Sequence, residues 1–217
     1  MRPITVTVGP LATAVSNGIC LSQSPSGAGA LTLNGSLVAN GVAVLDVARR
    51  VAITSTNTDN NKTFTITGTS ASGNIQTEVL LGPDTATVYT NLDFKTVTNI
   101  TVSAATTGAI TIGTNTVASS SWVYIDPYAF PQMGFQCTVN GSVSYTVQQT
   151  YEDPNSPTNP TLPYLVTWVN NPTAALVNSS STQQSSYLIA PLYVKVTLNS
   201  GTGYVNSTFV QFGNLVS

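Results

Sequence analysis

The chain has 217 residues, 41% of them apolar, enough for one large β domain or two small ones with a substantial core. Asp, Glu, Lys and Arg together make up only 6%, against roughly 25% in an ordinary soluble domain, and a net charge of −2 leaves no basic footprint for nucleic acid or an anionic membrane. There is no histidine, which removes Ser-His-Asp and Cys-His nucleophiles, His-based metal sites and the usual neutral-pH proton shuttle.

The chain opens Met1-Arg-Pro-Ile-Thr-Val-Thr-Val, an alternating strand rather than the continuous apolar core of a signal peptide, so synthesis in the cytoplasm is expected. Ile4, Val6 and Val8 fall on one face of this strand. It either pairs within its own sheet or adds to the edge of a neighbouring subunit, with Arg2 as a charge contact at the joint; the second placement is the favoured one.

Asn34-Gly35, Asn40-Gly41, Ser72-Gly73-Asn74, Thr107-Gly108, Asn140-Gly141 and Ser200-Gly201-Thr202-Gly203 read as turns, and the Asn-Gly pairs supply the positive φ of tight hairpins. Between them run β-branched alternations: Phe64-Thr-Ile-Thr-Gly-Thr, Val97-Thr-Asn-Ile-Thr-Val, Ala109-Ile-Thr-Ile and Val143-Ser-Tyr-Thr-Val. Each places apolar side chains on one face and hydroxyls or amides on the other, the pattern of antiparallel sheets with one face in a core. The apolar runs are too short to span a bilayer as a helix. Arg49-Arg50 lies between two strand-like stretches and pairs either with Asp46 or another acid in the chain, or with a carboxylate of a neighbouring subunit.

The small-residue stretch Thr114 to Ser121 reads as a linker or crossing, with a boundary near Val117. Two modules follow: residues 1–116 with an extended N-terminal arm, and residues 117–217 with a long Pro-rich loop over 152–172. Both are expected to be antiparallel β-sandwiches or jelly rolls. The prolines of that loop keep it out of a sheet interior. Tyr164 and Trp168 within it make either a rigid contact surface or a lid folded over the chain's own sheet.

Chemistry-bearing motifs are scarce. Cys20 and Cys137 fit no metal or redox spacing and read as buried free thiols. No phosphate-binding Gly-rich loop is present. Of eight acids only Glu78 and Glu152 are glutamates, and no separated pair stands out for glycoside hydrolysis. Glu152-Asp153-Pro154 reads as an acidic turn, and Asp59, Asp126 and Asp153 lack the dense spacing of a calcium loop. No cofactor or metal is expected.

The opening Met1-Arg-Pro-Ile-Thr-Val-Thr-Val-Gly-Pro-Leu, the stretches Leu31-Thr-Leu-Asn-Gly and Ala48-Arg-Arg-Val-Ala-Ile-Thr-Ser, and the run from Phe64 to Gly113 resemble virion structural proteins of tailed bacteriophages. So do Tyr145-Thr-Val-Gln-Gln-Thr-Tyr-Glu-Asp-Pro and Val196-Thr-Leu-Asn-Ser-Gly-Thr-Gly. The resemblance is one of texture and short phrases. It implies a β-rich subunit that coats the capsid or completes the head–tail junction, and it carries over no functional residue. The resulting expectation is a capsid decoration or cement subunit, a homo-oligomer in the virion that contacts the major capsid protein or other virion subunits. Nucleic acid and membrane are not expected partners. A head–tail or tail component and a receptor- or glycan-binding fibre module are the alternatives.

Overall fold

The computed structural model describes residues 3–129 and 131–211. With 52% strand and 3% helix the protein is all-β, built on antiparallel sheets. The strands in chain order are β1 (Ile4–Val8), β2 (Cys20–Gln23), β3 (Gly29–Ala30), β4 (Val38–Ala39), β5 (Val42–Ser55), β6 (Thr63–Thr69), β7 (Ile75–Leu81), β8 (Thr87–Tyr89) and β9 (Phe94–Val102). They continue as β10 (Ile110–Ser119), β11 (Val123–Tyr124), β12 (Met133–Asn140), β13 (Val143–Thr150), β14 (Val169–Asn170), β15 (Gln183–Tyr187), β16 (Tyr193–Gly201) and β17 (Tyr204–Gln211). No helix among the described residues is long and apolar enough to cross a membrane.

The chain forms two compact units, Ala12–Thr116 and a second made of Met1–Leu11 with Val117–Ser217. Residues 1–11 therefore do not belong with the first module, as a 1–116 reading has it. The reason is register: β1 lies antiparallel on β17 from Ile4↔Phe209 to Val8↔Val205. Within the stretch 114–121, strand β10 runs on to Ser119.

In the unit Ala12–Thr116 the sheet order is β10-β5-β9-β6-β7, with β2, β3, β4 and β8 attached to β10, β9, β5 and β5. The alternation works as physics requires: Phe64 and Ile66 of β6 are buried, while Thr63, Thr65, Thr67 and Thr69 face outward. Phe64, Ile66, Phe94, Val97, Ile100, Ile110 and Ile112 form the core. Asn40 and Gly41, with φ of 53° and 78°, close the tight β4–β5 hairpin. The Ser70–Asn74 turn closes the β6–β7 hairpin.

In the other unit one sheet has the order β1-β17-β12-β15 and the second is β14-β13-β16, with β11 and the end of β10 also on β16. Here two of the expected turns are not hairpins. Strand β12 pairs β17 and β15, whereas β13 pairs β16 and β14, so Asn140-Gly141 carries the chain from one sheet to the other. Ser200–Gly203 does the same between β16 and β17. The two corners run side by side: a Cβ on Gly203 would sit 2.2 Å from the Asn140 carbonyl oxygen. A two-strand ribbon thus bends over itself, and the glycines permit the bend. Tyr187, Phe135 and Phe209 stack across three strands, with ring centroids 5.4 and 5.5 Å apart.

Candidate assembly surfaces

The first unit buries four charged side chains of substance, and each is engaged within the chain. Arg49, 1% exposed, donates from Nη1 to Asp46 Oδ1 and to the Ala12 carbonyl, both at 3.0 Å, and from Nη2 to the Asn115 carbonyl. Asp46 Oδ2 in turn accepts the Ala12 N–H at 2.7 Å. Partial burial pushes the Asp46 carboxyl up, but the Ala12 N–H and the Arg49 guanidinium outweigh it and hold it below the usual carboxylate range. Arg49 therefore ties the start of the unit to β5 and β10, and of the two readings of the arginine pair the intrachain one describes it.

Asp59 is fully buried and accepts from Ser55 Oγ (2.7 Å), the Thr107 N–H (2.7 Å) and the Gly108 N–H (3.1 Å), with the Lys62 ammonium at 2.9 Å. Glu78 on β7 accepts the N–H groups of Asn91 (2.7 Å) and Leu92 (2.9 Å). Burial raises its carboxyl above the ordinary value, against those donors and the nearby Arg50 charge. Arg50 is half-buried, facing this group. Both cysteines are free and buried, and burial pushes the Cys20 thiol up to about 12.

Of the residues singled out from sequence, Arg2 lies outside the described residues. Ile4 and Val6 are half-buried and Val8 is buried, on the same side of β1 as Phe209 of β17. Their strand pairs with β17 of the same chain, the intrachain of the two placements, and among the described residues no strand pairs with its other side. Tyr164 stands half-buried in the short turn Pro163–Leu165. Trp168 is no exposed platform. Its ring meets Trp122 edge-on at 4.9 Å, and the Lys195 ammonium lies 4.3 Å from its centroid, so it caps the side chains of β16. The loop then rejoins its own sheet through β14, at the edge where its prolines do no harm. Glu152 accepts the Thr167 N–H at 2.8 Å and Asp153 the Asn155 N–H at 2.9 Å, which makes both organisers of this loop.

The surfaces that stand out are others. On β7 the alternation is inverted: Glu78 is buried, while Ile75, Val79 and Leu81 are 82%, 42% and 61% exposed. In the second unit Tyr128, Leu188 and Ile189 are 89%, 77% and 72% exposed. Ile189 also lines a cleft of about 310 Å³ with Ile125, Asp126, Pro131, Tyr151 and Leu192. An open groove of about 550 Å³ crosses the outer face of the β1-β17-β12-β15 sheet over Gly134, Gln136, Gln184, Ser186 and Thr208, without a charged group in its lining. An apolar run such as Val79-Leu80-Leu81 signals a strand, but nothing in it tells which face is out; that is set by the distant N–H groups of Asn91 and Leu92.

No protein-family model matches the chain, and no curated protein matches it.

Proposed function

We propose that this chain is a structural subunit of a bacteriophage virion, a capsid decoration or cement protein that holds neighbouring subunits together through protein–protein contacts and performs no catalysis. In this reading its two units are sandwich-like modules, it works as a homo-oligomer on the major capsid protein, and neither nucleic acid nor membrane is a partner. The observation that carries the proposal is the exposure of Ile75, Val79 and Leu81 along a strand at the end of a sheet, in a chain with only 6% charged residues. A lone soluble protein keeps its copies apart by charge. Here the outer faces are threonine, amide and aliphatic groups, which dock without desolvating ions. Each Å² of apolar surface covered contributes about 25 cal/mol, and an open strand edge adds main-chain hydrogen bonds.

The buried carboxylates Asp59 and Glu78 are held by backbone donors, which favours a structural role for them. The cleft bearing Tyr151 and Asp126 favours the second reading, a glycan- or receptor-binding module, because an exposed aromatic beside polar groups suits a sugar ring. Copy number in purified particles decides between the cement role and the head–tail alternative. A cement subunit is present on the order of hundreds of copies, and a ring at the head–tail junction at about six to twelve. Absence from particles overturns the proposal.

A further inference from the structure

We propose that β7 is a self-pairing edge: two copies of this chain associate antiparallel, β7 against β7, about a two-fold axis through Thr77. The inference rests on the assembly role above and names the partner of its most exposed strand as a second copy. Strand β6 pairs with all of β7, from Thr63↔Leu81 to Thr69↔Ile75, without a bulge. Among the described residues no strand pairs with the other side of β7. Natural edges are guarded by lysine, proline, bulges or inward charges. Residues 75–81 contain no Lys, Arg or Pro and no bulge; of these guards β7 has only the inward charge of Glu78, whose two oxygens are taken up by the Asn91 and Leu92 N–H groups.

The orientation of β7 is held from below. Glu78 takes two backbone N–H groups, and Gln76 Nε2 donates to the Asp93 carbonyl at 2.8 Å. Ile75, Thr77, Val79 and Leu81 are thereby presented outward beside Thr69, Thr67, Thr65 and Thr63 of β6, on a face with no charged side chain at those positions.

The choice of a second copy comes from the residue pattern, which is symmetric about Thr77. With Thr77 on the axis, Ile75 of one copy lies opposite Val79 of the other, an aliphatic cross-strand pair of the stabilising kind. On the inner face Gln76 comes level with Glu78, so no two carboxylates oppose each other in this register. The alternative register centred on Glu78 brings two carboxylates face to face and is rejected by charge. The ladder ends where Leu81 comes level with Gly73, which has open space where a side chain would stand. The interface is isologous, as a closed dimer requires.

The test uses the full chain. Directly opposed Cα atoms in an antiparallel pair are about 4.5–5.5 Å apart, within disulfide reach. Thr77→Cys is therefore expected to form an intermolecular disulfide under mild oxidation, while Thr65→Cys, one strand in from the edge, is not. Cys20 and Cys137 are buried and do not compete. In sedimentation over about 1–200 μM, a range suited to a small interface, wild type dimerises. Val79→Lys and, independently, Ile75→Lys weaken the dimer at least about tenfold with unchanged Tm; the second variant guards against misfolding of the first. A wild type that stays monomeric, even if it binds another protein, overturns the pairing. So does a dimer indifferent to both lysines that fails to cross-link at Thr77. High copy number in particles without the Thr77 cross-link keeps the assembly role and discards this interface. The cross-link in a chain absent from particles does the reverse.

Discussion

Asp59 shows at the residue scale how a charge-poor chain uses the few ions it has. Its carboxylate gathers Ser55, at the end of β5, the Thr107–Gly108 turn before β10, and Lys62 before β6. Burial opposes ionisation, yet these four donors outweigh it and hold the group below the ordinary carboxylate range. A depressed folded-state pKa contributes stability that is present above the unfolded value, about 3.9, and lost as pH falls through the folded one. Glu78 has the opposite sign: raised by burial, it contributes at low pH and loses that contribution as pH rises through its folded value. Asp59→Asn points an amide N–H₂ at existing donors. It is expected to cost about 2–4 kcal/mol in urea unfolding at neutral pH, with the gap to wild type narrowing near pH 3. A gap independent of pH would mean that shape, not the ionised carboxylate, matters at this position.

At the scale of elements, β1 offers the sharpest check. Five residues pair with β17, Thr5 Oγ1 lies 3.1 Å from Thr208 Oγ1, Thr7 Oγ1 donates to Asn206 Oδ1 at 2.7 Å, and Val8 is buried. Deleting residues 1–8 strips β17 of a neighbour and uncovers part of the face that carries Phe209, so a fall in Tm of several degrees is expected by calorimetry. An unchanged Tm would return the strand to the role of a free arm. This placement also marks the limit of what the residues reveal locally. Alternation made the strands legible, because Phe64 and Ile66 against Thr63 and Thr65 fix which face of β6 is buried. The Asn40-Gly41 hairpin was legible for the same reason: its positive φ values are a local demand. Strand partnership is not local. Asn140-Gly141 has the residues of a hairpin but turns a sheet corner, since β13 pairs β16, distant along the chain, and not β12. The inversion of β7 was hidden likewise, being decided by donors at 91 and 92.

Over the whole molecule, the missing charge is replaced by neutral hydrogen-bonding groups paired with each other. Thr54–Thr87 and Thr69–Thr96 at 2.7 Å, and Thr67–Thr77 at 3.2 Å, are hydroxyl pairs between adjacent strands. Such a surface holds water less tightly than ions do and gives no long-range repulsion between copies. It therefore suits contacts made by fit and apolar cover, at the cost of electrostatic steering. Salt separates the two modes. Exposed charge pairs are screened beyond about 10 Å at 0.1 M ionic strength, whereas apolar association is insensitive to chloride and strengthened by sulfate. Self-association of the wild-type chain is accordingly expected to change by less than about threefold between roughly 0.05 and 0.5 M sodium chloride and to tighten in sodium sulfate. Sedimentation equilibrium at fixed protein concentration reads both. Association that weakens tenfold or more with chloride would assign it to the few ions the chain carries, Lys95 and Asp84 among them, and would take it away from the aliphatic row of β7.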